Sequence, residues 1–382
     1  MSGFPSNRRD LLTGRTFRAM AEAAQNALAD RALSEGAAPL AGAFARLATP
    51  AMGTEFSLLV NPEDRPRLWP ASHAMEVVGE VERELTVYQP QSVVSRINTH
   101  GADSPFLVSE RFWDLLERCQ QLTDQTGGAF DAASQAQIML WRQCRAEGRL
   151  PTDFEVESVL AHSGMSHLVR DKQERTVQFD RPGVGLNFGA IGKGEALDLC
   201  AAQLVSPPEV PEDLAEIDPL LAAAEPLENF CLSGGNSSMI ARGGHAGHAG
   251  WPIGIGNPLF TKRRLGTLLL TDQAMATSGS NVQFFRFEGK RYGHILDPRT
   301  AWPAEGVLSV TVLAPTAAMA DALSTAFFVL GVEKTCEVCD NIPSIGVLLI
   351  PPPDRGGQLR PVIRGISEDA LYFDPEQVTT ST

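Results

Sequence analysis

The stretch TAAMADALSTAFFVL, residues 316–330, decides more about this protein than any other part of its sequence. After its first residue, Thr316, every position is apolar except Asp321, Ser324 and Thr325. Because a helix that is apolar all round is buried, we expect a core helix with Thr316 as its N-cap. Asp321 cannot then face water, and a buried carboxylate is costly unless it is paired or bound to a metal ion.

The three polar side chains of this helix share one face, because they are spaced at i, i+3 and i+4. Three hard oxygen donors on one face suit Mg²⁺, which takes few protein ligands and completes its shell with phosphates and water. The alternative is an aspartate that is hydrogen-bonded to the backbone beside a core serine and a core threonine. The residues of the helix leave both interpretations open.

The composition is that of an ordinary globular chain, with 382 residues, 43% hydrophobic and 20% charged. The formal charge of −14 excludes a sequence-independent nucleic-acid binder, which needs a basic face. No run of about eighteen apolar residues exists, so we expect no membrane span. Strands alternate with helices without a strict βαβ order. We therefore expect an α+β fold of mostly antiparallel mixed sheets with flanking helices.

The chain is predicted to have three parts: an alanine-rich extension at 1–46, a folded domain at 47–372 and a flexible tail at 373–382. A proline-rich, acidic stretch at 205–228 is interpreted as an insertion in that domain. Arg8-Arg9 is typical of a twin-arginine export signal, but no apolar stretch follows it. We therefore expect a cytoplasmic protein, with export through the twin-arginine route as the alternative.

Hydrophobic patterning predicts the following elements. Helices are expected near 72–85, 109–126, 194–204 and 316–330. Strands are expected at 52–60, 167–170, 175–179, 184–188, 229–233, 238–242, 251–255, 265–270, 283–287, 307–313 and 345–350, the last of these completing the body. The six cysteines sit mostly among apolar neighbours, and we expect them to be reduced.

Three further motifs contain chemically useful residues. Gly189-Ala-Ile-Gly-Lys-Gly194 links a predicted strand to a helix, so its backbone and Lys193 could bind an anion, or it could be a tight turn with an exposed lysine. His294 begins the run His-Ile-Leu-Asp-Pro-Arg-Thr, beside the candidate phosphate site. Gly234-Gly235-Asn236 is either part of that site or a simple hairpin turn.

Taken together, these motifs resemble the FAD:protein FMN transferases of the ApbE family over about residues 51–349. The resemblance is carried by eight motifs in the family's order. They are Ala-Met-Gly-Thr (51–54), Tyr88 with Ser92, Ser95 and Asn98, Thr-Gly-Gly-Ala-Phe-Asp (126–131), Gly-Ala-Ile-Gly-Lys-Gly (189–194), Gly-Gly-Asn (234–236), Ala-Thr-Ser-Gly (276–279), His294 to Thr300, and Asp-Ala-Leu-Ser-Thr-Ala (321–326).

The resemblance implies an enzyme that moves FMN from FAD to a Thr or Ser hydroxyl of a target flavoprotein and releases AMP. It implies that FAD is the substrate and Mg²⁺ the metal cofactor, and that FAD lies in the cleft between two lobes of a single catalytic domain. His294 would be the catalytic residue that helps to deprotonate the acceptor hydroxyl. The implied metal ligands are Asp321, Thr325, Ser324 and the carbonyl of Ala190. The positions implied for FAD binding are Met52, Tyr88, Ala129, Phe130, Asp131, Asn187, Lys193, Gly234, Gly235, Asn236, Ile295 and Arg299.

The chain departs from the family pattern at four positions. Asn187 replaces the usual aspartate before the Gly189–Gly194 loop, Glu195 replaces an aromatic residue, Val93 a glutamate and Ala301 a glycine. The same site would also suit an FAD pyrophosphatase that uses water as the acceptor. A non-catalytic FAD-binding protein is the other alternative.

Overall fold

The computed structural model describes residues 38–207, 225–260, 262–280, 284–355 and 357–374. The chain divides into two units, Met1–Pro39 and Leu40–Thr382, and every element below belongs to the second. The predicted extension therefore lies almost wholly outside the described residues, as do most of the predicted insertion and of the tail. The first strand begins at Ala45.

One antiparallel sheet of eight strands forms the centre of the fold, in the order β1-β2-β6-β7-β10-β15-β16-β17. In β2, Phe56, Leu58 and Val60 alternate into the core, as expected for a strand with one buried face. The strands are β1 (Ala45–Ala51), β2 (Thr54–Val60), β6 (Phe230–Gly234), β7 (Ser238–Arg242), β10 (Ala274–Gly279), β15 (Ser309–Ala314), β16 (Gly346–Ile350) and β17 (Val362–Arg364).

Helices and smaller sheets surround this sheet. The helices are α1 (Leu68–Ala71), α2 (Glu76–Leu85), α3 (Val93–His100), α4 (Glu110–Gln125), α5 (Gln135–Glu147), α6 (Asp153–Leu160), α7 (Gly192–Val205) and α8 (Ala317–Asp340). Short 3₁₀ turns lie at Pro62–Arg67, Met165–His167 and Glu368–Ala370. None of the helices in the described ranges is long and apolar enough to cross a membrane.

Four small antiparallel sheets complete the fold, in the orders β3-β5-β4, β18-β9-β8, β11-β12 and β13-β14. Their strands are β3 (Phe106–Leu107), β4 (Leu168–Asp171), β5 (Thr176–Phe179), β8 (Trp251–Gly256), β9 (Arg264–Leu270), β11 (Phe284–Phe287), β12 (Lys290–Gly293), β13 (Leu296–Asp297), β14 (Trp302–Pro303) and β18 (Leu371–Phe373). The predicted α+β class with antiparallel sheets is confirmed.

Helix α8 has the environment that its sequence predicts. The Thr316 hydroxyl caps it by accepting a hydrogen bond from the Met319 N–H. Its first half is buried against the central sheet and α7, and Phe327 and Leu323 have no exposed surface. The helical run continues beyond the predicted end to Asp340, but it kinks at Gly331, whose φ of 73° is open to glycine at little cost.

The predicted strand at 184–188 is wrong. These residues are extended and mostly buried, yet their backbone pairs with a side chain and a loop instead of a strand. Asn98 both donates to the Leu186 carbonyl and accepts from the Leu186 N–H. The Asn187 N–H donates to the Ala132 carbonyl. An amide side chain can thus make the hydrogen bonds of buried backbone N–H and C=O groups without a partner strand.

The prediction that 345–350 is the last strand is also wrong, because β17 and β18 follow it. The pattern missed β10 and the helices α3, α5 and α6 as well. The cysteines are all unpaired, and five of the six are buried, as expected.

Candidate functional site

The site is organised around the place where the N-terminal turns of α7 and α8 cross. Gly194 in the first turn of α7 lies directly against the backbone of Ala317 and Ala318, and a methyl group built on Gly194 would overlap the Ala317 carbonyl. Only glycine allows two backbones to approach so closely. The last glycine of the Gly189–Gly194 motif therefore has a packing role at this junction.

Each of these two helices presents a carboxylate to the first turn of the other. Asp321 Oδ2 in α8 accepts a hydrogen bond of 2.8 Å from the Gly194 N–H. Asp198 in α7 accepts 2.7 Å and 2.9 Å bonds from the Ala317 and Ala318 N–H groups. Such amides have no partner within their own helix, and a helix N-terminus favours negative charge. The two helices are thus capped reciprocally.

Asp321 is buried, with 5% of its surface exposed, as the apolar helix predicts. Its Oδ1 accepts a hydrogen bond from the Ser238 hydroxyl, and the Lys193 Nζ lies 3.7 Å from its Oδ2. Burial raises the pKa of Asp321, while the Lys193 charge and the hydrogen bonds from Ser238 and Gly194 oppose that shift. Lys193 is therefore the charge partner of Asp321 in this structure.

Hydroxyl groups continue the polar face of α8 beyond Asp321. Ser278 of β10 lies 3.0 Å from the Ser324 hydroxyl and 3.4 Å from the Thr325 hydroxyl, oxygen to oxygen. Ser324 and Thr325 both donate to the Asp321 carbonyl, at 2.9 Å and 3.3 Å. A row of hydroxyl oxygens thus continues from Asp321 along one face of α8 to Ser278 of β10.

This donor set fits Mg²⁺. The described residues contain no cluster of three or more His, Cys, Asp and Glu side chains, so a closed, all-protein metal cage is not built there. Magnesium commonly binds through one or two carboxylates together with substrate phosphates and water. Asp321, Ser324 and Thr325 would supply the protein share of such a shell. Ala190 lies in the turn just before α7, and its role as a fourth ligand stays a prediction.

Asn187 holds the loop that leads into α7. Its Nδ2 donates to the Gln135 Oε1 at 2.8 Å, and its Oδ1 accepts from the Gly189 N–H at 2.8 Å. An aspartate at this position could accept from Gly189 but has no proton to give to the Gln135 oxygen. Asn187 is therefore matched to its neighbours as an amide.

The turns that contain Met52 and Gly235 lie side by side. Met52 and Gly53 have φ of 51° and 70°, as a two-residue hairpin turn between β1 and β2 requires. Gly235 has φ of 67°, and a methyl group built there would lie 2.6 Å from the Thr54 hydroxyl. Asn236 follows in this turn, which joins Gly234 to Ser238, and Ser238 contacts Asp321. The Gly235 turn thus borders the α7–α8 junction through Ser238, and the Met52 turn lies next to the Gly235 turn.

Residues 126–131 form a second tight region, and their polar groups are used internally. Asp131 accepts from the Ala133 and Met165 N–H groups at 2.7 Å and 3.0 Å, and burial raises its pKa. Ala129 and Phe130 are buried, with the Phe130 N–H bonded to the Thr126 hydroxyl. Asp131 therefore shapes the loop, and direct contact of these residues with FAD stays a prediction.

The run from His294 to Ala301 forms a turn against that region. His294 is exposed, whereas Ile295 is buried. Arg299 pairs with Asp297 through two hydrogen bonds of 2.8 Å and lies against Gly128. Ala301, at the family's glycine position, is fully buried with φ of 57°. The structure thus brings Arg299 to the 126–131 motif.

Tyr88 lies in a surface groove of about 840 Å³ that Gln135 also lines. Its side chain is 73% exposed, and the Arg142 guanidinium lies 5.1 Å from the ring centroid. Gln135, which lines the groove, also accepts the hydrogen bond from Asn187 in the loop before α7. The exposed ring offers a flat apolar surface to a ligand.

Sequence reasoning missed Asp198 and Ser238, and it did not assign a role to Ser278. Asp198 lies one turn after Gly194 in a predicted helix, and nothing in that helix marks its distant partner. Ser238 follows the Gly234-Gly235-Asn236 turn, and Ser278 lies within the Ala-Thr-Ser-Gly motif. Proximity to these motifs is the signal that could have identified both serines.

Known proteins share this fold and these motifs. The ApbE family model matches residues 52–208 and 219–349. An FAD:protein FMN transferase of Treponema pallidum is 30% identical over 315 residues, 78% of this chain and 84% of the relative. The Escherichia coli FAD:protein FMN transferase is 27% identical over 260 residues, 66% of this chain and 69% of the relative.

Two solved structures are also similar. The crystal structure of the ApbE protein from Thermotoga maritima has a TM-score of 0.69 at 27% identity, covering 86% of this chain and 98% of that one. The flavin transferase ApbE from Vibrio cholerae has a TM-score of 0.67 at 27% identity, covering 84% and 97%. The family match, the sequence identities and the shared fold therefore place this protein among the flavin transferases.

The chain belongs to the ApbE family. The predicted family is thereby confirmed, and so is the prediction of a transferase enzyme of the FAD:protein FMN transferase class. The family model leaves residues 209–218 unmatched, inside the stretch predicted as an insertion.

Proposed function

We propose that this chain transfers FMN from FAD to a Thr or Ser hydroxyl of a target flavoprotein, with release of AMP and with Mg²⁺ bound at Asp321. The observation that carries this proposal is the burial of Asp321 beside Lys193, where the N-terminal turns of α7 and α8 converge. An acidic protein that binds an anionic substrate needs such a local concentration of positive potential.

The α7–α8 junction suits a pyrophosphate for three physical reasons. The N-terminal turn of α7 borders it and carries a partial positive charge, whereas the first-turn amides of α8 are already bonded to Asp198 and Thr316. Lys193 adds a full charge, and its side chain is 25% exposed, so it can reach a ligand. The glycines of the 189–194 loop leave the backbone open to close approach.

In the proposed reaction, the acceptor hydroxyl oxygen attacks the phosphorus on the FMN side of the pyrophosphate. The new oxygen–phosphorus bond forms as the bond to the bridging oxygen breaks, and AMP leaves with that oxygen. The hydroxyl proton passes to His294, whose exposure lets a protein substrate reach it. Lys193 stabilises the negative charge that develops on the phosphates.

The bound Mg²⁺ would supply charge neutralisation and alignment of the pyrophosphate. Asp321, Ser324 and Thr325 would hold it, with the Ala190 carbonyl as a further ligand. Ser238 and the Gly194 N–H orient the Asp321 carboxylate through its two oxygens. The remaining FAD contacts are assigned, by family resemblance, to the Met52 and Gly234–Asn236 turns, Tyr88, the 129–131 loop, Ile295 and Arg299.

The test is to incubate the purified chain with FAD, Mg²⁺ and a flavoprotein domain that a known family member modifies. We expect the domain to gain the mass of one FMN and AMP to appear in equal amount, and we expect EDTA to abolish both. A domain whose acceptor threonine is replaced by valine is the control. Free FMN and AMP without labelled protein would instead identify an FAD pyrophosphatase, and tight FAD binding without turnover would identify a binding protein.

We place this activity in the cytoplasm, because six unpaired cysteines suit a reducing compartment. Arg8 and Arg9, the export-signal alternative, lie outside the described residues. Cell fractionation of the full chain tests the assignment. The assignment would be overturned if the protein were recovered in an exported fraction and if changing both arginines to lysine abolished that recovery.

A further inference from the structure

We propose that Asp198 is a positioning residue of this enzyme, which sets the place of the Asp321 carboxylate by clamping the first turn of α8 onto α7. This inference rests on the proposed function, because it assigns a role in the same metal–phosphate site. Asp198 has no place in the ligand set that the resemblance implies.

The geometry is a closed ring of hydrogen bonds between the two helices. Asp198 lies one turn after Gly194 in α7, and Asp321 lies one turn after Ala317 in α8. Asp198 binds the Ala317 and Ala318 amides with separate oxygens, and Asp321 binds the Gly194 amide in return. Rotating or sliding either helix would break both the bonds from Asp198 to α8 and the bond from Asp321 to α7. Asp321 therefore cannot move independently of Asp198.

Asp198 also completes the hydrogen bonding of the first turn of α8. Its oxygens satisfy the first two amides, and Thr316 satisfies the next two through its hydroxyl and its carbonyl oxygen. No first-turn amide of α8 then remains for a phosphate. Phosphate binding at the junction therefore falls to α7 and Lys193, and α8 serves to present Asp321.

The packing makes this position sensitive. The two backbones are in contact at Gly194, so the crossing has no space in which to relax without moving the helices apart. Metal ligands must be held within roughly 0.5 Å of the working geometry. A loosened first turn of α8 would carry the carboxylate of Asp321 out of that range.

The test compares Asp198→Asn and Asp198→Ala with the wild-type chain, using Mn²⁺ in the presence of FAD as the probe. Electron paramagnetic resonance measures free Mn²⁺ and hence its affinity, without reference to activity. We expect affinity to fall about 10- to 100-fold, the usual effect of losing a residue that orients a metal ligand. Because asparagine keeps one acceptor oxygen, Asp198→Asn should lose less Mn²⁺ affinity than Asp198→Ala.

The matched control is Asp171→Asn. Asp171 also accepts two backbone N–H bonds, at 2.9 Å and 3.1 Å, but it does so in the turn between β4 and β5. We expect wild-type Mn²⁺ affinity and wild-type transfer for this variant. Amide hydrogen exchange of the segment around Ala317 and Ala318 should rise in the Asp198 variants and not in the control.

The outcomes separate the two proposals. If the wild-type chain transfers FMN and the folded Asp198 variants bind Mn²⁺ as tightly as it does, the positioning role is wrong and the proposed function stands. A lowered melting temperature with unchanged Mn²⁺ affinity is a purely structural result and also overturns it. If the wild-type chain neither binds Mn²⁺ with FAD nor modifies a target, the proposed function fails and this assignment fails with it.

Discussion

Asp321→Asn should abolish transfer and leave the fold intact, and this combination tests the assignment of Asp321 most directly. The amide oxygen can accept from the Gly194 N–H, and the amide nitrogen can donate to the Ser238 hydroxyl oxygen. The contacts with Gly194 and Ser238 would thus be kept, whereas the charge pair with Lys193 would be lost. Only the charge is removed.

The magnitude follows from two opposing terms. At 3.7 Å, the attraction between Lys193 and Asp321 is about 4 kcal/mol at an effective dielectric constant of roughly 20. The penalty for burying an ionised carboxylate is several kcal/mol as well. The terms nearly cancel, so the free energy of unfolding should change by no more than about 1 kcal/mol. Asp321→Ala, in contrast, leaves two buried donors unpaired, and it should destabilise the fold by about 2–5 kcal/mol.

The effect on catalysis should be much larger than the effect on stability. Asp321 is the one carboxylate in the proposed ligand set, so its loss should lower the transfer rate at least a hundredfold, or about 3 kcal/mol. Mass spectrometry of the target gives the rate, and urea denaturation gives the stability. A folded Asp321→Asn chain with wild-type transfer would refute the assignment of Asp321 as a metal ligand. An Asp321→Asn chain that fails to fold would refute the near cancellation of the Lys193 attraction and the burial penalty.

Three other changes test the surrounding structure. Gly194→Ala should lower the free energy of unfolding, measured by urea denaturation, by about 1–3 kcal/mol, because the new methyl group overlaps the Ala317 carbonyl. The control Gly256→Ala, whose methyl group meets nothing within 4 Å, should leave that free energy nearly unchanged. Arg118→Met should cost about 3 kcal/mol in urea denaturation, because it leaves the buried Glu195 carboxylate without its charge partner. A loss of no more than about 1 kcal/mol, the usual value of an exposed pair, would contradict this. Burial raises the pKa of Asp198 from 3.8 to about 6, so the ionised form is disfavoured in the folded state. The stability of the wild-type chain relative to Asp198→Asn should therefore be highest below about pH 4, fall by about 3 kcal/mol toward pH 6 and then stay constant. A relative stability that rises with pH would show that the pKa is lowered instead.

The local parts of the site could be predicted from the sequence because their signals are local. Thr316 and the apolar run after it define a capped, buried helix, and the burial of Asp321 follows from its position in that run. The same reasoning failed at 184–188, where an apolar, strand-like pattern is buried without a partner strand. There the Asn98 side chain makes the backbone hydrogen bonds that a neighbouring strand would otherwise make. A hydrophobic pattern along the sequence does not indicate a contact of this kind.

The cross-helix contacts could not be predicted for a different reason. Asp198 lies 119 residues from Ala317, and Ser238 lies 83 residues from Asp321. In its own segment, Asp198 has the pattern of an ordinary helix-surface carboxylate. Its role depends on the angle and the distance at which α7 meets α8, and the packing of the whole sheet sets both.

The reciprocal capping of α7 and α8 has a consequence for the newly made chain. Gly194 and Asp321 are 127 residues apart, so the ribosome must complete most of the protein before the junction can close. Until then, an emerging α7 offers its amides and Lys193 without the carboxylate that would retain a cation. On the proposed assignment of Mg²⁺ to Asp321, an incomplete chain cannot hold FAD phosphates through the metal, and flavin transfer has to wait until the whole domain has been synthesised.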